Sequence, residues 1–237
     1  MQVGFQTDVP KEGPLLIAAN HPGAMDFVAL TEQVNREDIK IVANDIDILK
    51  AIPASREYLI FTSNAAQDKF SALRASVKHL ESGGALLIFP SGVIDPDPHF
   101  FSNAINHIDR WSESIEIFLR KIPDLQVLPA IVSNAIKEEF LFNWFTRSFQ
   151  GRMERMRTAE FLQVLSLLGD KKNRIELKIS FGEVLQFGKA RDRVQITQSY
   201  ETIKLNAQSL MQQHLLQYPA ARQVVWAERP PKFQRGK

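Results

Sequence analysis

The most informative absence in this sequence is that of cysteine. None of the 237 residues is a cysteine, which excludes disulfide bonds, thiolate metal sites and a catalytic cysteine nucleophile. A chain of this length can bury a hydrophobic core without such cross-links. Its content of 44% hydrophobic and 24% charged residues is typical of a folded globular protein. We therefore expect one domain that extends over residues 1–237.

A strong charge of one sign and a long hydrophobic run are also missing. The formal net charge is only +2, so we expect no nucleic acid among the partners. No stretch approaches the roughly 18 consecutive apolar residues of a membrane-spanning helix, and the first residues lack the pattern of a signal peptide. These absences favour a cytoplasmic protein, with peripheral attachment to a membrane still open.

Short apolar runs alternate with longer amphipathic segments. Strands are predicted at residues 15–19, 39–43, 58–62, 85–89, 125–132 and 174–181, and helices over 64–84, 102–123 and about 195–217. In the first of these helices one face carries four large apolar side chains, Phe70, Leu73, Val77 and Leu80. The alternation predicts an α/β fold, a single domain with a mostly parallel or mixed central sheet and helices on both faces. The motif-bearing core covers about 15–185, and residues 227–237 form a basic tail.

The segment NHPGAMD, residues 20–26, places polar side chains around a tight turn. His21 follows the first predicted strand, at the carboxyl end where open α/β sheets bind their ligands. The turn at Pro22-Gly23 can bring the carboxylate of Asp26, in the first turn of the next helix, to the imidazole. Such a pair holds one tautomer through Nδ1–H and leaves Nε2 free to accept a proton from a hydroxyl. Alternatively, His21 only satisfies backbone groups and Asp26 only caps the helix.

Three further segments, IFPSG (88–92), VLPAIV (127–132) and ISFGEVL (179–185), form or end apolar strands. Together with NHPGAMD they resemble, in the right order, the motifs of the glycerolipid (lysophosphatidate-type) acyltransferase family. The matching residues are Asn20, His21 and Asp26 in the first motif, Phe89, Pro90 and Gly92 in the third, and Val127, Leu128 and Pro129 in the fourth. Ser91 stands where the third motif of the family usually has glutamate.

The resemblance implies an acyltransferase with the fold of that family. In the family the histidine takes a proton from an acceptor hydroxyl, which attacks the thioester of acyl-CoA or of an acylated carrier protein. His21 would then be the general base, and Asp26 would orient it. The substrate-binding residues that the resemblance implies are Asn20, Phe89, Pro90, Ser91, Gly92 and Pro129. We expect no cofactor; the partners are the acyl thioester donor and a lipid or alcohol acceptor.

Two departures from the family motifs affect the acceptor. The glutamate of the third motif contributes to acceptor binding in the family, and Ser91 lacks its charge. The second motif of the family has an arginine that meets the acceptor phosphate, but residues 57–70 contain no arginine, although Arg56 and Lys69 are near in sequence. We therefore hypothesise that the acceptor is a lipid or alcohol hydroxyl other than glycerol phosphate or lysophosphatidate.

Two functions compete with acyl transfer. A non-catalytic lipid- or acyl-binding protein on the same fold would have no need for a general base, so His21 and Asp26 favour an enzyme over it. The weaker alternative is an acyl-thioester hydrolase, in which water replaces the acceptor. Ser91 as its nucleophile would need glycine two residues before and two after it, but Phe89 and Val93 occupy those positions.

The segment VIDPDPHF has the composition of a metal-binding loop. Asp95, Asp97 and His99 would be its ligands. Proline-stiffened polar loops are far more common than metal sites of this kind, so we predict a loop and no metal.

Residues 138–169 combine bulky aromatic side chains with arginines. The membrane contacts predicted from this segment are Phe142, Trp144, Phe145, Arg147 and Arg152. Interfacial helices use this combination, with rings at the acyl boundary and guanidiniums at lipid phosphates. Alternatively, the aromatic rings pack onto the sheet and the arginines form a solvated face.

Overall fold

The chain folds around one mixed β-sheet. The computed structural model describes residues 2–4, 8–23, 25–51, 53, 55–149, 151–169, 176–188 and 192–219, without the side chains of residues 48, 55, 147, 152, 153 and 167–169. The strands are β1 (Gln2–Gly4), β2 (Leu15–Ala19), β3 (Lys40–Asn44), β4 (Leu59–Thr62), β5 (Ala85–Ile88), β6 (Gln126–Ser133), β7 (Lys178–Phe181) and β8 (Leu185–Gln186). The helices are α1 (Asp26–Val34), α2 (Asp47–Lys50), α3 (Ser55–Tyr58), α4 (Ala66–Glu81), α5 (Ser114–Lys121), α6 (Glu138–Leu141), α7 (Trp144–Ser148), α8 (Arg152–Gly169) and α9 (Arg193–Gln217), with a 3₁₀ helix at Ala104–Arg110.

The strand order places β2 near the middle of the sheet. The order is β1-β7-β6-β2-β5-β3-β4, and β8 pairs with the first part of β6. Strands β2 to β6 run parallel to one another, whereas β7 and β8 run antiparallel to β6. The prediction of a mixed central sheet is therefore confirmed. The parallel part carries the first, third and fourth motifs, whereas ISFGEVL lies in the antiparallel strands β7 and β8.

The two faces of β2 enter two separate hydrophobic cores. Leu16 and Ala18 pack with the apolar faces of α4, α5 and α9, whereas Leu15, Ile17 and Ala19 pack with α1. Every side chain of β2 is consequently buried, as expected for a strand that helices cover on both sides. The predicted placement of helices on both faces is confirmed.

One predicted helix face is partly wrong. The sequence pattern places Phe70 on one apolar face with Leu80, but Phe70 is exposed on α4. The buried positions of this helix are Ala72, Ser76 and Leu80. At 100° per residue, Phe70 lies about 120° from the middle of that face. Leu73 and Val77 are partly buried against the same core, so the prediction fails only at Phe70.

Several element boundaries differ from the sequence prediction. The segment 102–123 forms two elements, the 3₁₀ helix and α5, because the chain changes direction at Trp111. Tyr58 ends α3 and does not begin a strand. The last predicted strand begins at Lys178.

Residues 174 and 175 and the predicted basic tail at 227–237 lie outside the described residues. Within the part of the chain that the structure describes, no helix combines the length and the hydropathy needed to cross a membrane.

Candidate active site

Three adjacent parallel strands bring the first and third motifs to one edge of the sheet. Strand β2 lies between β5 and β6 and runs parallel to both. The carboxyl ends of these strands therefore meet at the same edge, which is where open α/β sheets place ligands. His21 follows β2 there, and Phe89, Pro90, Ser91 and Gly92 follow β5.

Asn20 extends the pairing of β2 with β6 by one residue. Its side-chain Nδ2 donates to the Val132 carbonyl at 2.9 Å, and its Oδ1 accepts from the Val132 N–H at 2.8 Å. The buried amide thus takes the place of a backbone peptide group in the ladder. Asn20 fixes the point from which the next residue leaves the sheet, and its hydrogen-bonding groups are used within the protein.

His21 and Asp26 are brought together as the sequence predicted. The Nδ1 atom of His21 lies 3.2 Å from Oδ2 of Asp26. The same oxygen accepts a hydrogen bond of 2.8 Å from the Gly23 N–H. Asp26 is fully buried, whereas 24% of the His21 side chain is exposed. The carboxylate lies inside the protein and the imidazole reaches the surface.

The turn between the two residues requires glycine. A Cβ atom at Gly23 would lie 2.8 Å from Cβ of Ala135 and 3.1 Å from Oε1 of Glu160, and the first distance is too short for two carbon atoms. Helix α8, which carries Glu160, therefore passes directly over the turn. Glycine at this position allows α8 to pack closely against the turn that joins β2 to α1.

The ring of His21 is also held on its face. The Phe89 ring stacks on it, with 4.1 Å between the centroids and an angle of 19° between the planes. Since Asp26 contacts the Nδ1 edge and Phe89 covers one face, the ring has little freedom to rotate. If Nδ1 carries the proton that bonds Asp26, Nε2 is the nitrogen with a free lone pair.

The charges around His21 are negative. Burial lowers the pKa of the imidazole, but the hydrogen bond and charge of Asp26, together with the charges of Asp95 and Glu160, outweigh this and raise the pKa above its usual value. Burial also raises the pKa of Asp26, against the opposing effects of His21 and the Gly23 N–H. Such surroundings stabilise an imidazolium that forms at His21.

Asp95 is a site residue whose role the sequence analysis missed. Its Oδ2 accepts hydrogen bonds from the His21 N–H at 2.9 Å and from the Ser91 hydroxyl at 3.0 Å. Its Oδ1 lies 3.3 Å from Nδ1 of His107, and both side chains are buried. The signal in the sequence was an acidic residue close after the third motif, where the composition suggested a metal-binding loop.

Asp97 and His99 do not join that cluster. The carboxylate of Asp97 accepts hydrogen bonds from the backbone N–H groups of His99, Asn134 and Ala135. Burial raises its pKa to about 6 in spite of these bonds. Asp97 thus connects the loop after β5 to the end of β6, which supports the structural interpretation of VIDPDPHF. Among the described residues, no group of three or more His, Cys, Asp or Glu side chains is arranged to hold a metal ion.

The residues of the third motif have different environments. Ser91 Oγ is within hydrogen-bonding distance of the Val93 carbonyl and of Asp95, so its hydroxyl is directed into the loop. Gly92 is exposed, with a φ of 66° and open space where a Cβ would be. Pro90 is buried, and its carbonyl accepts from the Ser112 N–H. The backbone at Gly92 is therefore accessible to solvent.

Pro129 is the predicted substrate-binding residue that the structure separates from the others. It lies inside β6, paired with Ala18 of β2, and its carbonyl accepts from the Gly182 N–H. Four further residues of β6, 130–133, follow it before the strand ends. Because Pro129 is buried within the sheet beneath the site, the geometry lends no support to direct contact between Pro129 and a substrate.

The predicted membrane contacts also divide into two groups. Trp144, which is 85% exposed, and Phe145 lie on the surface of α7. Phe142 instead packs edge-on against Phe100, and the guanidinium of Arg155 lies 5.1 Å above its ring. The side chains of Arg147 and Arg152 are outside the described part.

Comparison with known proteins agrees with the motifs. A protein-family model described as Acyltransferase matches residues 1–133, which is more than half of the chain and includes His21, Asp26 and Asp95. The chain also resembles the crystal structure of the 1-acyl-sn-glycerophosphate (LPA) acyltransferase PlsC from Thermotoga maritima, with 16% sequence identity and a TM-score of 0.43 over 88% of this chain and 72% of that chain. Among curated proteins, none matches this sequence.

Proposed function

The chain belongs to the acyltransferase family, and on this premise we propose that it moves a fatty acyl group from an acyl thioester to a hydroxyl of a lipid or alcohol acceptor. The donor is acyl-CoA or an acylated carrier protein. His21 is the general base and Asp26 orients it. The observation that carries this proposal is the 3.2 Å contact between Nδ1 of His21 and buried Asp26, on an imidazole that reaches the surface.

The proposed reaction needs one proton acceptor and no covalent enzyme intermediate. Nε2 of His21 takes the proton of the acceptor hydroxyl, and the oxygen attacks the thioester carbonyl. The tetrahedral intermediate collapses, the carbon–sulfur bond breaks, and the leaving thiolate takes the proton back from the imidazolium. Asp26 stabilises the imidazolium between these two transfers. A general base in this position contributes about 10²- to 10⁴-fold to the rate.

The surroundings of His21 support a neutral acceptor rather than one with a phosphate close to the reacting hydroxyl. Asp26, Asp95 and Glu160 all act on His21 as negative charges. Arg56 lies in α3, before β4, and so at the opposite edge of the parallel sheet from His21. Lys69 lies near the start of α4, which follows the carboxyl end of β4 at the same edge of the sheet as His21. However, β4 lies three strands from β2, which is about 14 Å at the usual strand spacing. A headgroup phosphate therefore has no evident cation beside His21 among these candidates.

Peripheral attachment to a membrane is part of the proposal. Exposed apolar side chains adjoin the residues of the site: Met25 precedes Asp26, Val93 lies between Ser91 and Asp95, and Phe161 follows Glu160. On α8, Phe161 shares a face with Val164 and Leu165, which are also exposed. Together with Trp144 and Phe145, these residues support a surface that rests on lipid around the exposed part of His21, since burial of each large side chain contributes about 1.5 to 3 kcal/mol.

One experiment separates acyl transfer from the competing functions. Long-chain acyl-CoA and acyl carrier protein are supplied with and without a panel of hydroxyl acceptors, including lysophosphatidate and neutral lysolipids, and thiol release is measured. Release that depends on the acceptor supports transfer. Release without an acceptor indicates a hydrolase, and no release with any donor indicates a binding protein. Higher activity on lysophosphatidate than on neutral acceptors would contradict the proposed acceptor class.

Membrane attachment is tested by vesicle binding with a matched pair of variants. Phe161 on α8 and Leu205 on α9 are equally exposed, at 62% and 63%. We expect Phe161→Ala and Trp144→Ala to weaken binding to lipid vesicles severalfold, and Leu205→Ala to leave it unchanged. Equal vesicle affinity for all four proteins would contradict this surface.

A further inference from the structure

Asp95 holds the main chain of His21 from both sides. Its carboxylate accepts from the His21 N–H at 2.9 Å, and its own N–H donates to the His21 carbonyl at 2.7 Å. These two bonds join residues 74 positions apart. A hydrogen bond to a carboxylate is stronger than one to a neutral acceptor, so this contact fixes the backbone from which the imidazole projects.

The carboxylate of Asp95 also contacts Ser91 in its own loop and His107 in the 3₁₀ helix. Ser91 of the third motif donates to Oδ2 at 3.0 Å, and Nδ1 of His107 in the 3₁₀ helix lies 3.3 Å from Oδ1. Asp95 and His107 are both nearly inaccessible to solvent. A buried carboxylate is costly without such partners, and here the partners connect the first motif, the third motif and the 3₁₀ helix.

The burial of Asp95 also defines how it can act. A carboxylate with 2% of its surface exposed does not reach a substrate bound at the protein surface. It acts on the reaction through His21, whose other charged neighbours are Asp26 on α1 and Glu160 on α8.

We propose that Asp95, supported by Ser91 and His107, is a positioning residue that aligns His21 with the acceptor hydroxyl. The proposal rests on the proposed function, because alignment of His21 matters to the rate only if His21 is the base. The loss of Asp95 then reduces the rate of the chemical step and leaves substrate binding nearly intact. Its negative charge also favours protonated His21, so its removal shifts the titration of the imidazole to lower pH.

The first test is the variant Asp95→Asn, which has the same shape but no charge. We expect kcat to fall about tenfold, because an amide oxygen accepts a weaker hydrogen bond from the His21 N–H than a carboxylate does and the negative charge beside the imidazolium is lost, with KM for donor and acceptor changed by no more than about twofold. The acid limb of the kcat/KM profile should move to lower pH. Asp97→Asn is the matched control, since this acid is equally buried and does not contact His21; it should lower stability and leave the acid limb unmoved. Wild-type kcat and an unmoved limb in Asp95→Asn would overturn the proposal, as would a loss confined to KM.

A second measurement does not depend on activity. NMR titration of the His21 imidazole in the substrate-free protein, assigned with His21→Gln, should show a lower pKa in Asp95→Asn than in the wild type. The variant His107→Gln removes the imidazole that lies against Asp95, and it should change kcat and the titration in the same direction. If both variants fold and His21 titrates as in the wild type, the positioning role is wrong. If the titration shifts but no acyl transfer is found with the wild type, the proposed function has failed and the contact with His21 stands.

Discussion

Replacing Asp26 with asparagine separates its charge from its hydrogen bonds. Oδ2 of Asp26 faces two groups, the Gly23 N–H at 2.8 Å and Nδ1 of His21 at 3.2 Å, and Oδ1 has no hydrogen-bond partner among the described residues. The Gly23 N–H can only donate. It therefore selects the side-chain oxygen of asparagine for the Oδ2 position and directs the NH₂ group to the Oδ1 position. The His21 tautomer should then be retained in Asp26→Asn, and only the negative charge is lost.

The size of the effect on the rate follows from the short distance between the Asp26 carboxylate and the His21 imidazole. Unit charges about 4 Å apart interact by about 4 kcal/mol at an effective dielectric constant of 20. Because the imidazolium is only partly formed in the transition state, we expect the variant to lose about 3 kcal/mol of stabilisation, or roughly 10²-fold in kcat/KM. Burial raises the pKa of Asp26, which means that its ionised form is costly in the folded protein. The variant should consequently fold with close to wild-type stability.

The pH dependence of kcat/KM tests the direction in which the charge of Asp26 shifts the pKa of His21. The base works only when His21 is unprotonated, so the rate rises as pH rises through its pKa. The charge of Asp26 raises that pKa, and its loss should move the acid limb of kcat/KM to lower pH. The assay is acceptor-dependent thiol release across the pH range, with thermal unfolding as the check on folding. A folded Asp26→Asn with a wild-type rate and profile, or with the limb at higher pH, would refute the reasoning.

Two other predictions concern Gly23, in the turn before α1, and His214 of α9, which bonds serines of β6 and β7. Gly23→Ala places a methyl group 2.8 Å from Cβ of Ala135, so activity and melting temperature should both fall. Gly92→Ala has open space at the Cβ position but a φ of 66°, and it should cost about 1 to 2 kcal/mol of backbone strain. His214 bonds the hydroxyls of Ser133 and Ser180 at 2.7 Å, and burial lowers its pKa to about 4. Since the unfolded chain binds a proton below about pH 6.5 and the folded chain does not, the stability that neutral His214 confers is lost as pH falls from 6.5 to 4. The difference in unfolding free energy between the wild type and His214→Asn should shrink by about 3 kcal/mol over that range; a constant difference in denaturant unfolding at pH 7 and pH 4.5 would contradict this.

The sequence predicted what depends on local pattern. The run LLIAA has no polar side chain, so both faces of β2 had to be covered, and the spacing of His21 and Asp26 around Pro22-Gly23 leads the chain back on itself. These features need no knowledge of distant residues. The sheet and the His21–Asp26 contact were therefore accessible from the sequence.

The parts that were missed depend on contacts between distant residues. Asp95 lies 74 positions from His21, and nothing in its own segment indicates which backbone amide it binds. Phe70 has the right spacing for a core position, but the width of the α4 face is set by the sheet that it covers. The same holds for Pro129, whose motif suggests a binding residue although its register with Ala18 buries it within the sheet.

The most direct test of the central claim is the rate of acceptor-dependent acyl transfer by His21→Gln beside the wild type, at saturating donor and acceptor. Glutamine fills the same space and cannot take the proton from the hydroxyl. We expect the rate to fall by about 10²-fold or more while the donor still binds with wild-type affinity. Acyl transfer by His21→Gln at close to the wild-type rate would show that His21 is not the base.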